Sequence, residues 1–115
     1  MHELSIAYSL VESAETAARN AGARRVAAVH VDLGKLSGVV KDALLFSYDI
    51  ASKDTPLEGT HLIIRELPVI IHCDPCDRDY ELPGVQSFRC PVCNQPSHNI
   101  CQGKELTIVS LEVDL

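Results

Sequence analysis

Four cysteines in two pairs, Cys73-x-x-Cys76 and Cys90-x-x-Cys93, carry the strongest chemistry in this chain. A Cys-x2-Cys pair lets two thiolates of one tight turn reach a single ion. Two such pairs, separated by the thirteen residues from Asp77 to Arg89, can close a tetrahedral four-thiolate site. That shell suits structural Zn(II), because it leaves no coordination position open for a substrate. The alternative, two unconnected pairs or redox disulfides, fits the doubled spacing less well. Cys101 is the fifth cysteine and reads as a buried or spare thiol. His72 and His98 flank the pairs and read as exposed groups or hydrogen-bond partners, although an imidazole is able to replace a thiolate.

A second set of metal donors stands at the start of the chain, in Met1-His2-Glu3. The α-amine of Met1, the backbone nitrogen of His2 and its Nδ1 can bind one ion through adjacent five- and six-membered chelate rings. Glu3 adds a backbone nitrogen or a carboxylate. Planar, nitrogen-rich sets of this kind favour Ni(II) or Cu(II) over zinc. The bland alternative is an accidental histidine beside a glutamate that complements a helix macrodipole.

These donors need elements to position them. From Glu3 to Asn20 the residues Ile6, Leu10, Val11, Ala14, Ala17, Ala18 and Ala21 recur at helical spacing, and Gly22 supplies a left-handed stop. Val26 to Leu33 reads as a half-buried strand in which Ala27, Val29, Val31 and Leu33 alternate with Ala28, His30 and Asp32. Gly34 and Gly38 flank a turn. A second helix is expected from Val39 to Ala51 with Ser37 as a possible cap, broken by Thr55-Pro56 and Gly59. Strands are expected over Thr60 to Leu67 and Lys104 to Val113. Between them, residues 68–103 hold every cysteine and most of the prolines, a composition shift that marks an inserted metal module. Few large aliphatics lie there beyond Val69-Ile70-Ile71, so bound zinc, worth about 10–16 kcal/mol, must supply what the core lacks. Tyr80 and Leu82 are expected on a strand between the two cysteine pairs.

The expected fold is therefore α+β: a three-stranded sheet covered by two helices, plus an inserted zinc-ribbon-like module. Residues 1–67 with 104–115 form the first domain and 68–103 the second.

Composition narrows the function. The chain has 115 residues and a 46% hydrophobic fraction, enough for a packed core, and no stretch approaches the roughly 20 apolar residues of a membrane span. The start lacks the basic-then-apolar pattern of a secretory signal, so a cytoplasmic protein with reduced thiols is expected. A net charge of −6 argues against a sequence-independent nucleic-acid binder. Within the module Asp74, Asp77, Asp79 and Glu81 outnumber Arg78 and Arg89, and a four-thiolate zinc centre is itself doubly negative. No Ser-His-Asp or Cys-His set and no Walker-type phosphate loop occurs, so neither an enzyme nor a GTPase is expected.

In combination these features resemble the HypA/HybF family of hydrogenase maturation factors. The resemblance rests on Met-His-Glu-Leu-Ser-Ile at the start, Asp32-Leu-Gly-Lys-Leu-Ser37, the two cysteine pairs including Cys90-Pro-Val-Cys93, and Gly103-Lys-Glu-Leu-Thr-Ile followed by Leu111-Glu112-Val113. It covers essentially the whole chain in order. It implies a metallochaperone that delivers Ni(II) during maturation of [NiFe]-hydrogenase, with nickel on His2, Glu3 and the Met1 amine, and zinc on Cys73, Cys76, Cys90 and Cys93. The implied partners are a HypB-like GTPase and the hydrogenase large subunit; some members also serve urease. Two departures stand out. Val40 occupies a position where some members carry an acidic nickel ligand, for which Asp42 is the candidate substitute. Arg78 and Gln95 occupy positions where some members carry a histidine two residues after a cysteine. The competing function is a zinc-ribbon module for protein or nucleic-acid binding without nickel delivery.

Overall fold

Helix α1 (Glu3–Asn20) forms where the apolar periodicity is strongest, and it buries Ala7, Leu10, Val11, Ala14 and Ala18 along one stripe. Ala17 and Ala21, expected on that stripe, are exposed. The helix stops in a Schellman arrangement: Ala23 N–H donates to Ala18 O at 3.0 Å and Gly22 N–H to Arg19 O at 3.1 Å. Gly22 sits at φ +69°, where a side chain would be strained. These elements belong to a computed structural model that describes residues 3–115, so the candidate ligands Met1 and His2 lie outside the described residues.

Strand β1 (Arg25–Gly34) follows, then α2 (Lys41–Ser52), β2 (His61–Leu67), β3 (Ile70–Cys73), β4 (Arg78–Glu81), β5 (Ile100–Gln102) and β6 (Leu106–Asp114). They build two three-stranded sheets, one in the order β2-β1-β6 and one in the order β4-β3-β5. The molecule is α+β, as expected. None of the described helices is long and apolar enough to cross a membrane.

The chain divides into two compact units. The first holds the described residues up to Asp32 together with Val39–Arg65 and Thr107–Leu115. There α1 packs on α2, whose Leu44, Tyr48 and Ala51 are buried. The Tyr48 hydroxyl hydrogen-bonds Thr60 Oγ1, which in turn donates to Leu57 O at 2.6 Å and so ties the loop after α2 to the helix. Ser37, the expected cap, precedes the N-cap position of α2 by three residues. Its N–H donates to Gly34 O at 3.0 Å within a turn, and Val40 is the N-cap, with no side-chain capping bond.

The second unit comprises Leu33–Gly38 and Glu66–Leu106. Its core is small: Val69, Ile71 and Leu82, with Leu36, Phe88 and Ile100 packed around them. Strands β3 and β4 pair antiparallel with Ile71 opposite Tyr80 and Cys73 opposite Arg78, and β5 pairs on the other edge of β3. Tyr80 lies on β4 as expected. Leu82 falls just beyond it, its N–H donating to Val69 O at 2.8 Å.

Candidate metal centre

The four paired cysteines converge within the second unit. Their sulfurs all lie within 4.8 Å of one another, with Cys73 3.5 Å from Cys93 and Cys76 3.9 Å from Cys90. A tetrahedron with zinc–sulfur bonds of about 2.3 Å has sulfur–sulfur edges of about 3.8 Å, so the cluster has the dimensions of a zinc-thiolate shell. Cys73 arrives from the end of β3 and Cys90 from the opposite loop; both are buried, while Cys76 and Cys93 are half-buried. No cysteine forms a disulfide.

Local chain chemistry shapes each turn. Asp77 and Asn94 each follow the second cysteine of a pair and adopt positive φ, 52° and 61°. Asp and Asn tolerate the left-handed region better than other non-glycine residues, which lets each chain fold back immediately after its second ligand. Asp77 N–H donates to Asp74 O at 3.1 Å and Asn94 N–H to Cys90 O at 2.9 Å. In the sequence Asp77 figures only as a charge and Asn94 not at all; their turn role emerges from the backbone.

Electrostatics favours thiolates unevenly. Burial raises the Cys90 thiol, but amide donors from Cys93 and Val92, both 3.4 Å from its sulfur, and the neighbouring thiols outweigh that and bring it down to about 7. At Cys73 an amide donor from Cys76 lowers the pKa, yet burial and the sulfurs of Cys93, Cys90 and Cys76 push it up to about 12. Burial, followed by the Cys93 sulfur, also raises Cys76. A shared divalent ion removes this conflict, because its charge lets four crowded sulfurs ionise together.

His72 lies next to Cys73 on β3 but not in the sulfur cluster. Its Nδ1 is 2.7 Å from Asp79 Oδ1, and its Nε2 is 3.5 Å from Asp74 and 3.6 Å from Asp77. The Asp79 hydrogen bond, with the surrounding carboxylates, raises its pKa above the usual imidazole value. Ser97, which sequence reasoning passed over, is buried beneath it: Ser97 Oγ donates to His72 O at 2.6 Å, and His72 N–H donates to Asn99 O at 2.9 Å. His98 is exposed. Cys101, expected as a buried or spare thiol, is exposed and stands 3.8 Å from Asp79 Oδ1.

Of the nickel candidates, Glu3 is half-buried in the first turn of α1. Val40 is exposed at the N-cap of α2, and Asp42 is exposed in its first turn. Gln95 supplies no histidine; its carbonyl accepts from Cys90 N–H at 2.9 Å.

Fold and centre together define a small α+β metalloprotein with a closed four-thiolate shell. The family described as hydrogenase/urease nickel incorporation, metallochaperone, hypA matches residues 1–113. A hydrogenase maturation factor HypA from Roseiflexus sp. (strain RS-1) is 53% identical over 114 residues, covering 99% of this chain and 93% of its own. Another from Chloroflexus aurantiacus (strain ATCC 29366 / DSM 635 / J-10-fl) is 49% identical over 112 residues, covering 97% and 98%. Among solved structures, the solution structure of the Ni metallochaperone HypA from Helicobacter pylori shares the fold, with a TM-score of 0.69 at 23% identity over 99% of this chain and 98% of that one. The chain belongs to the HypA family of nickel-incorporation metallochaperones.

Proposed function

We propose that this protein carries Ni(II) on its first three residues and delivers it to the large subunit of [NiFe]-hydrogenase, working with a HypB-like GTPase in the cytoplasm and serving urease maturation proteins as further acceptors. The observation that carries the site assignment is the closed thiolate shell. Four sulfurs within 4.8 Å of one another suit one resident structural zinc, which supports a separate place for the cargo ion. The proposed donors are the Met1 amine, the backbone nitrogen of His2 after loss of its proton, His2 Nδ1 and Glu3. Asp42 is a weaker candidate, since nothing beyond its place in the first turn of α2 connects it with that set. Residues 1–67 with 104–115 are assigned to nickel and 68–103 to structural zinc.

A carrier that binds and releases an ion needs no catalytic step, and we assign none. Partner contact is assigned to α1 and the acidic surface. Leu4 and Tyr8, one helical turn apart, are 40% and 53% exposed on α1, which supports an apolar contact there. The test is calorimetric titration of nickel into zinc-loaded protein with a native Met1, beside a chain extended by Gly-Ser ahead of Met1. Binding near one equivalent that is lost on extension supports the terminal chelate. Equal binding in both chains, or none in either, removes His2 and the amine from the site.

A further inference from the structure

A concavity lies within the first unit, where α1 ends and β1 begins. It encloses about 210 Å³. Arg19, Arg24 and Arg25 stand on its rim, and Ala18, Val26 and Leu57 form an apolar floor. The charge is out of proportion to the protein: three of its ten basic residues stand at this one cleft of a chain whose net charge is −6.

The three arginines are not equivalent. Arg25 is anchored, with Nε and a terminal nitrogen each 2.9 Å from Asp114 Oδ2. Arg19 and Arg24 form no ion pair or side-chain hydrogen bond among the described residues, although Glu15 also lines the cleft and partly offsets their charge. Two guanidiniums are thus left to pair with an incoming anion.

The shape of that anion follows from the helix. The floor lies at the C-terminal end of α1, where the macrodipole is negative. A compact anion such as phosphate would be repelled at the floor. Carboxylates held outward at the guanidinium tips escape that repulsion, while an aliphatic side chain suits Ala18, Val26 and Leu57. We propose that this cleft docks an acidic peptide segment of a partner protein, with one aliphatic side chain seated on the floor and flanking carboxylates paired with Arg19 and Arg24. No cleft residue is a candidate metal ligand, so the proposal stands apart from the nickel site.

The test uses the full-length, zinc-loaded protein and the fluorescein-labelled peptide acetyl-Glu-Glu-Leu-Asp-Glu-amide, followed by anisotropy. Arg19→Glu and Arg24→Glu should each weaken binding by about fivefold, in line with exposed ion pairs. Lys35→Glu, an equal charge change just past the other end of β1, should alter it by less than about twofold. Replacing the peptide leucine by serine should abolish most binding, and amide shifts in the labelled protein should map to Ala23, Val26 and Leu57. Circular dichroism melts keep a folding defect from passing as lost binding. Four results would overturn the proposal: no binding, weakening by Lys35→Glu equal to that by Arg24→Glu, indifference to the peptide leucine, or displacement by inorganic phosphate. The last would make the cleft a small-anion site.

Discussion

Withdrawal of zinc should unfold the second unit while leaving the first intact. The hydrophobic cluster of the second unit is small: Val69, Ile71 and Leu82 are buried, with Leu36, Phe88 and Ile100 in support. A core of this class rarely supplies more than about 3–5 kcal/mol, whereas a structural zinc contributes about 10–16 kcal/mol. The metal therefore exceeds the margin of the unit it holds. The reporters are the amides of His72, Leu82, Cys90 and Ser97, which donate to Asn99, Val69, Gln95 and Phe88 at 2.8 to 2.9 Å. Hydrogen exchange followed residue by residue, before and after chelation, should show their protection fall at least about a thousandfold, equivalent to about 4 kcal/mol. The amides of α1 and that of Leu44, which donates to Val40 O at 3.0 Å, should keep theirs. If the four reporters stay protected in metal-free protein, the small core suffices alone and the argument for a zinc-dependent fold fails.

Zinc affinity should rise with pH. Cys73 is pushed up to about 12 and must give up its proton on binding, while Cys90, at about 7, adds its own proton to the competition only as pH falls through that value. A chelator competition across neutral pH should show affinity falling more steeply on the acid side. Gly34→Ala places a methyl 2.1 Å from Gly103 O, a clash with backbone that no rotamer relieves. It should cost at least the upper part of the about 1–3 kcal/mol usual for overpacking, read from denaturant midpoints. Asp32 is held below the usual carboxylate range by its hydrogen bonds to Arg65, at 2.9 and 2.7 Å. Because the folded pKa is depressed, its contribution is present above the unfolded value of about 3.9 and is lost as pH falls through the folded value. Asp32→Asn should therefore make stability less sensitive to acid over that window, and equal acid slopes would contradict it.

Local patterns were legible and non-local ones were not. The α1 stripe, its Gly22 stop and the cysteine pairs could be read because each depends on neighbours a few residues apart. The start of α2 was harder to read, because the turn through Ser37 and Gly38, at φ +77°, sets Ser37 ahead of the helix and leaves Val40 at the N-cap. On β1 the expected alternation put Ala27 inside, but Ala27 is exposed and Ala28, Val29, Val31 and Asp32 are buried. A central strand is covered on both faces, and Asp32 tolerates burial only through Arg65, 33 positions away. On β6 the alternation slips where Val109 and Ser110 are both exposed, while Ile108, Leu111 and Val113 are half-buried. Strands β3 and β5 were missed because three or four residues show no period. Their identity lies in pairing Ile71 with Ile100. His72 meets Asp79 for the same reason, through the β3–β4 register.

On the proposed reading, two metals in one small protein are kept apart by donor chemistry. Soft thiolates select zinc, and a deprotonated amide with an amine and an imidazole selects nickel. The separation also has a mechanical reason. Zinc in the thiolate shell is bound to the fold of its own unit, so its release means loss of the β4-β3-β5 sheet. A cargo ion held there could not be handed over without unfolding the carrier. Ligands grouped within residues 1–3 avoid that coupling, because the ion can leave donor by donor while every strand stays paired. Delivery thus requires that the cargo site contribute little to stability, and a carrier built this way should show the same melting temperature with and without nickel at one equivalent to within the small shift that weak binding alone allows.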